Sequence, residues 1–460
     1  MVLKYLQNVI ICFLFFYSST INAKDKTINQ QEQIKKTEIK TKDLVIDENR
    51  LPLKLEDLIY LALERNINTR SAIIDVKITE KELKANKSVY YPNISISGTY
   101  QETDGDAYTT KQQNKGGGIS ASYEVFAFGK NVYKIKALRH YLNSAKYKKD
   151  QITQEVIYNV IENYYGLLSL QAQKEAAIEA EKASQEAFKA ASLKYKIGIV
   201  PLVDKLKSEN SYSRNKLSRL KIENSIKKQK ANLNLLLNLD PNYVLYIETP
   251  DVNVKKVNKK VEDYIKDAKN NRIDLKYLKE QKNGKLDSLT SLKLSRLPTI
   301  NASGYFGVSK NFTKYYKQPS YESSEIKLSV SVPLFTGFYT TNTIKSKEEE
   351  IKSINLKIEE LEKSISTEVW NAYYDFNTTQ NSYFIAKDLL KTAQESAKVQ
   401  LGMYKNSKSS MLDVLNAQEQ LENARYEFIN SKYNLLIYRI KLLKTIGKMN
   451  LENIINIDNL

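Results

Sequence analysis

One cysteine, one histidine and one tryptophan occur in 460 residues, and glycine and proline are scarce, at 14 and 8. Each scarcity excludes something. Cys12 has no partner for a disulfide, so an exported form of the chain is held together by packing and oligomerisation alone. His140 stands in a charged helical run without a second histidine, so neither a metal site nor histidine catalysis is expected. So little glycine and proline cannot punctuate many short elements, and long ones are expected. No paired-carboxylate, His/Cys or glycine-rich phosphate constellation has supporting spacing, which argues against an enzyme and leaves no cofactor to expect.

Charge is abundant, with 71 Lys+Arg against 53 Asp+Glu. The lysines are spread along helical runs rather than gathered in one patch, so they read as a solvated helical surface and not as a nucleic-acid interface. Residues 1–23 read as a secretory signal: Lys4, an apolar run around Val9 to Tyr17, then Ser18-Ser19-Thr20-Ile21-Asn22-Ala23 as the cleavage end. An uncleaved anchor is the alternative, although the run is shorter than the roughly 20 residues that span a bilayer. Residues 24–51 are rich in Lys, Gln, Thr and Glu and read as a flexible arm, because they cannot bury enough surface to offset their ordering entropy.

The rest of the chain is written twice. Pro92-Asn93-Ile94-Ser95-Ile96-Ser97-Gly98 returns 206 positions later as Pro298-Thr299-Ile300-Asn301-Ala302-Ser303-Gly304. Leu55-Glu56-Asp57 matches Val261-Glu262-Asp263 at the same offset; beyond the strands the offset becomes 209, pairing Phe126 with Phe335, Tyr195 with Tyr404 and Asp204 with Asp413. The repeats span 52–240 and 261–449, joined by a linker at 241–260 and followed by a tail at 450–460.

Each repeat predicts a helix after its start (from Pro52 to about Tyr90 in the first), then two strands of period-two alternation. The first strand covers Pro92 to Gln101, with Ile94, Ile96, Gly98 and Tyr100 on one face; the second covers about Gly118 to Ala127, and the polar Glu102 to Gly117 reads as a loop. The second repeat supplies Ile300 to Phe306, then Ile326, Leu328, Val330, Val332 and Leu334. Such strands have the pattern of tilted outer-membrane strands. Surface hairpins capping a helical bundle fit the strands about as well.

From Lys130 to Gly198 only Gly166 interrupts a helix of about 100 Å, which requires a coiled-coil or solenoid partner. Its seam reads as Ala172, Ala176, Ala180, Ala183, Ala187 and Ala190, with Ile385, Leu389, Thr392, Ser396 and Val399 in the second repeat. Turns at Ile197-Gly198-Ile199-Val200-Pro201 and Asn406-Ser407-Lys408-Ser409-Ser410 send shorter helices back, the second carrying a heptad from Val414 through Ala424 and Leu435 to Leu442. Each repeat is thus a rod with strands at one end and a helical turn at the other.

These motifs resemble the TolC-type outer-membrane efflux proteins. The resemblance runs from Leu55 to about Met449 and rests on Tyr91-Pro92-Asn93-Ile94, on the junctions Val125-Phe126-Ala127-Phe128-Gly129 and Pro333-Leu334-Phe335-Thr336-Gly337, on Ala372-Tyr373, and on the tips Tyr195-Lys196-Ile197-Gly198 and Met411-Leu412-Asp413-Val414-Leu415-Asn416-Ala417-Gln418. It implies a mainly α fold in which four strands per chain enter a trimeric twelve-stranded β-barrel continued by an α-helical barrel. Closure leads the same way, since four strands leave two open edges that lipid does not permit.

The resemblance further implies a passive exit duct for efflux or type I secretion, in the outer membrane and reaching into the periplasm, that partners a periplasmic adaptor and an inner-membrane pump. Asp413 falls on the aspartate ring of the periplasmic gate, with Asn416 where a second aspartate is frequent. Asp204 and Tyr404 fall on the tip latch, whose arginine is replaced here by Ser409. Ile197, Gly198, Ile199 and Ser407 fall on the adaptor-docking turns. On the residues alone, Asp204 and Asp413 also read as N-caps of the returning helices. A periplasmic coiled-coil adaptor shares the signal and the long helices but does not account for two pairs of membrane-length strands.

Overall fold

The computed structural model describes residues 52–103, 112–250, 260–313, 319–406 and 408–449. These belong to one compact unit beginning at Pro52. The expected signal, arm and tail, and Ser407, lie outside the described residues.

The elements run α1 (Leu55–Arg65), α2 (Ile67–Asn86), a short 3-10 turn (Lys87–Tyr90), β1 (Asn93–Thr103), β2 (Gln112–Phe126), α3 (Lys130–Lys196) and α4 (Leu202–Leu236). The second repeat gives α5 (Val261–Asn271), α6 (Ile273–Leu294), β3 (Thr299–Thr313), β4 (Tyr321–Ser331), α7 (Tyr339–Lys405) and α8 (Met411–Thr445). The two long helices, α3 and α7, have 67 residues each, and the two returning helices have 35 each. At about 1.5 Å per residue the long helices reach about 100 Å.

The helix predicted from Pro52 to Tyr90 is broken at Asn66, which holds an extended backbone between α1 and α2. Its side chain makes the break, accepting hydrogen bonds from the N–H groups of Asn68 and Thr69 at 2.9 and 3.4 Å. The segment predicted as a loop from Glu102 is strand at both ends, since β1 runs on to Thr103 and β2 already starts at Gln112. Gly116, Gly117 and Gly118 are paired strand residues. The fourth strand ends at Ser331, so Val332 and Leu334 lie beyond it.

Both strand-to-helix junctions turn through two left-handed residues, Phe128 and Gly129 in one repeat and Gly337 and Phe338 in the other. The conformation is kept while glycine and phenylalanine exchange places, so each junction holds one aromatic residue in a conformation costing about 1–2 kcal/mol. Phe126 packs edge-on to Phe128, and Phe335 to Phe338, which offsets part of that cost.

The four strands form one antiparallel sheet in the order β1-β2-β3-β4. Register places Ile94, Ala121, Gly304 and Ile326 in one row and Ile96, Ile119, Phe306 and Ser324 in the next. That face is apolar and open: Ile96 is 82% exposed and Ile326 83%. The opposite face carries Ser95, Ser97, Ser120, Ser122 and Ser303, with Ser95 and Ser120 hydroxyls 2.8 Å apart. Among the described residues no helix is long and apolar enough to cross a membrane.

The helices continue the sheet as a layer. In the half beyond the sheet α3 lies between α2 and α6, with α7 next to α6; towards the tips α3 lies between α4 and α8, with α7 next to α8. The heptad of α8 is packed as expected, with Val414, Ala417, Ala424, Ser431, Leu435 and Leu442 all buried. The seam expected on α7 is not: Ile385, Leu389 and Val399 are exposed, and Ala386 and Ala393 face the neighbouring helix instead. Midway along α3, Tyr164 donates to the Glu248 carbonyl at 2.7 Å, and Leu53 bridges to Ile247, so the first part of the linker packs against the rod.

Candidate functional site

The sequence-predicted site residues gather at the end of the rod away from the sheet. The first turn closes α3 with the Gly198 N–H on the Tyr195 carbonyl at 3.0 Å and the Ile199 N–H on the Lys194 carbonyl at 2.9 Å. Gly198 has φ +78°, and a Cβ there meets nothing within 4 Å, so glycine serves the backbone conformation and not a close approach. Ile197 and Ile199 are exposed, and exposed apolar residues continue on α4 through Leu202, Val203 and Leu206.

The second turn differs. Asn406 stays in the right-handed region, and its side chain donates to the Gly402 carbonyl at 2.9 Å. The Lys408 N–H reaches the Met403 carbonyl at 2.8 Å. Ser409 lies 3.0 Å from Gln400 Oε1 and 3.2 Å from Asp413 Oδ2, so it braces the turn from within.

Asp413 is the third residue of α8, and Ser410 is the N-cap. The two form a capping box: the Ser410 N–H and hydroxyl donate to Asp413 Oδ2 at 3.0 and 2.6 Å, and the Asp413 N–H donates to Ser410 Oγ at 3.2 Å. The Ser410 hydroxyl, then its N–H, hold the Asp413 carboxyl below the usual aspartate range. Asp413 and Asn416 share an exposed face one turn apart. Asp204 is likewise a third helical residue, after an N-cap formed by Pro201, so neither aspartate is the N-cap itself.

Tyr404 is 4% exposed, packed with Ala191, Met411 and Val414. Its hydroxyl has no hydrogen-bond partner among the described residues. Burial, then the charge of Asp204, raises its pKa. The Asp204–Tyr404 hydrogen bond expected of a latch is therefore not made within one protomer, although the two groups sense each other. Lys194, which sequence reasoning did not single out, caps this cluster: its ammonium donates to the Tyr404 carbonyl at 3.0 Å and lies 4.1 Å from the ring centre. Nothing in the sequence announces that contact, whereas Ser410-x-x-Asp413 is a visible capping-box pattern.

The rod thus pairs a membrane-suited sheet with a polar, aspartate-bearing tip. The chain matches the model of the family described as "Outer membrane efflux protein" over residues 58–239 and 264–448, one segment per repeat. It is 20% identical to the outer membrane protein TolC of Escherichia coli over 425 residues, covering 86% of this chain and 82% of that protein. Its fold is similar to that of VceC from Vibrio cholerae, with TM-score 0.76, 17% identity and coverage of 85% and 96% of the two chains. The Campylobacter jejuni CmeC outer membrane channel is equally similar, at TM-score 0.76 and 17% identity over 88% and 89%. With both repeats matched, an apolar sheet face and a rod of doubled coiled coils, the chain belongs to the outer membrane efflux protein family and is an efflux channel of the outer membrane.

Proposed function

We propose that three copies close into one tube that works as the passive duct of a tripartite efflux or type I secretion system, joined to an inner-membrane pump by a periplasmic adaptor. The observation that carries this is that one protomer is open at matching edges along its whole length. In the sheet β1 and β4 are each paired on one side only. In the helical layer α2 and α4 lie on the β1 side and α7 on the β4 side. Exposed apolar residues line both edges: Leu206, Leu217 and Leu220 on α4, against Ile385, Leu389 and Val399 on α7. Such edges are complementary, not self-complementary, so copies join head to tail and must close into a ring to leave no strand edge in lipid. Twelve strands from three copies fit this closure.

At the tip, Asp413 from each copy forms the acidic constriction, with Asn416 adding polarity but no charge. Asp204 of one copy completes the unpartnered Tyr404 hydroxyl of a neighbour as the latch, and Ser409, engaged within its own turn, contributes less to it than an arginine. Ile197, Gly198 and Ile199, with Ser407 in the other turn, receive the adaptor. The test is purification from outer membranes followed by planar-bilayer recording. Heat-modifiable trimers with a small conductance that rises in Asp204→Ala support the reading; a monomer that forms no channel overturns it.

A further inference from the structure

The outward face of the sheet changes character at one level. From Phe126 to Ile119, β2 presents Phe126 and the row Ile96-Ile119-Phe306 on that face, followed by the Gly98-Gly117-Val308 row. The next row is Tyr100, Lys115 and Lys310, and beyond it come Glu102, Gln113 and Phe312. Two lysines therefore stand directly opposite each other across β2 and β3, an arrangement that like charges disfavour.

Aromatic rings draw them together. The Lys115 ammonium lies 5.1 Å from the Tyr100 ring centre and 5.6 Å from that of Phe312, and the Lys310 ammonium lies 5.2 Å from the same Phe312 ring. Among the described residues neither lysine has an ion-pair partner. The nearby Glu102 is engaged by the Tyr100 hydroxyl at 2.6 Å and the Gln113 amide at 3.0 Å. Glu322, opposite Val308 on the edge strand, pairs with neither lysine.

The level is informative. Phe126 stands opposite Ile300 and Lys115 opposite Lys310, so ten residue steps on β3 separate the two levels, about 33 Å along the strand and about 25 Å along the membrane normal at a tilt near 40°. An outer-membrane apolar band is about 25 Å tall and bounded by aromatic girdles. Phe126, Phe128, Phe335, Phe338 and Tyr339 are exposed at one boundary, so Lys115 and Lys310 lie at the opposite one, on the side away from the helical rod.

The geometry points to a lipid-binding site: Lys115 and Lys310, seated on Tyr100 and Phe312, clasp the phosphate of an anionic lipid in the outer leaflet, once per protomer. The assignment rests on the outer-membrane tube proposed above, because only there does this row meet headgroups. A phosphate between the ammoniums removes their mutual repulsion, while Tyr100 and Phe312 hold the two side chains in place. Each lysine at an anionic membrane surface contributes about a fivefold gain in affinity.

Native mass spectrometry of the trimer in neutral detergent tests this, with phosphatidic acid as probe and phosphatidylcholine of the same acyl chains as control. The wild-type trimer is expected to retain up to three phosphatidic acid molecules in preference to phosphatidylcholine. Lys115→Gln/Lys310→Gln is expected to bind them at least tenfold more weakly, and Lys115→Arg/Lys310→Arg to bind them as the wild type does. Equal retention in the wild type and the Gln pair overturns the site, as does equal retention of the two lipids. Displacement of the lipid by millimolar inorganic phosphate also overturns it, since the site then takes free anion. The same spectra report assembly: absence of any wild-type trimer refutes the tube, whereas a trimer without lipid preference refutes only the site.

Discussion

Asn66 and Arg272 hold the same place in the two repeats, and each ties the break in its own pre-strand helix to the last carbonyl of its own returning helix. Asn66 Nδ2 donates to the Leu236 carbonyl at 2.9 Å, and Arg272 Nη1 donates to the Thr445 carbonyl at 3.3 Å. Leu236 ends α4 and Thr445 ends α8. Each residue has an extended backbone, with ψ 129° and 125°. The repeat thus conserves a mechanical role while changing its chemistry: an amide caps the helix directly, whereas the guanidinium works through Asp274, at 3.0 and 2.5 Å, and Glu368, at 2.7 Å.

Removing either tie should loosen the middle of the rod and leave the sheet alone. Asn66→Ala loses a buried cap and leaves the Leu236 carbonyl unpartnered, an expected loss of about 1–2 kcal/mol. Arg272→Ala leaves the largely covered Asp274 carboxylate without its guanidinium at the edge of a cleft of about 500 Å³ lined by Tyr158, Lys444 and Thr445, an expected loss of about 2 kcal/mol. Thermal unfolding checks both. Asn66→Asp separates the roles, since it keeps the cap but not the donor, and should fall between wild type and Asn66→Ala.

Tyr305 lies flat across the polar face of the sheet over two glycines. A Cβ on Gly118 meets its ring at 2.7 Å, and one on Gly307 meets its hydroxyl at 2.2 Å. The ring supplies the packing that adjacent glycines cannot. Gly307→Ala should displace it and lower the melting temperature of the assembly. Tyr305→Ser in the same chain should recover part of that loss, and additive effects in the double-mutant cycle argue against the contact.

Glu422 is half-buried where α3, α4 and α8 meet, accepting from Asn215 Nδ2 at 2.8 Å. Burial raises its pKa more than that hydrogen bond lowers it. Around it stand Arg425, paired with Glu179 at 2.8 Å, Arg214 and Glu419. A carboxyl whose folded pKa is raised binds its proton better folded than unfolded, so its cost to stability at neutral pH disappears as pH falls through the raised value. On acidification from neutral pH, wild type should therefore gain stability relative to Glu422→Gln. Glu422→Gln should start more stable at pH 7 and gain less, and equal pH profiles contradict the assignment.

Long elements were legible because their punctuation is sparse. The helix read from near Lys130 runs to Lys196, where Gly198 ends it. The break at Asn66 escaped a reading based on glycine and proline, since asparagine interrupts a helix by offering its side chain to the backbone. Gly116 and Gly117 read as loop because glycine carries no alternating side chain to show a strand, whereas they continue β2 opposite Ser309 and Val308 of the other repeat. The seam on α7 was periodic as expected but is exposed in the single chain, where Ala386 and Ala393 take the contact with α8; in the proposed ring the exposed stripe meets another copy. The tip shows the same division: the register of Asp413 follows from the repeat, but the Tyr404 hydroxyl finds no partner among the described residues.

The gate proposal has a pH signature opposite to that of Glu422. Hydrogen bonds from Ser410, and then from Ser409, lower the Asp413 pKa below the ordinary aspartate value of 3.8. A lowered carboxyl pKa means that the charge persists as the solution acidifies and is lost only below that value. A constriction ringed by Asp413 should therefore keep its cation selectivity and its block by multivalent cations to lower pH in wild type than in a chain that lacks the Ser410 hydroxyl, in bilayer recordings. Asp413→Asn keeps an acceptor for Ser410, so the helix start survives while the charge goes; selectivity and block should then fall at every pH. If Asp413→Asn trimers conduct and are blocked as the wild type is, the narrow point of the duct lies elsewhere along α8. Ser410→Ala provides the cross-check, because losing its hydroxyl returns the Asp413 carboxyl towards its ordinary range and should move the loss of block to higher pH.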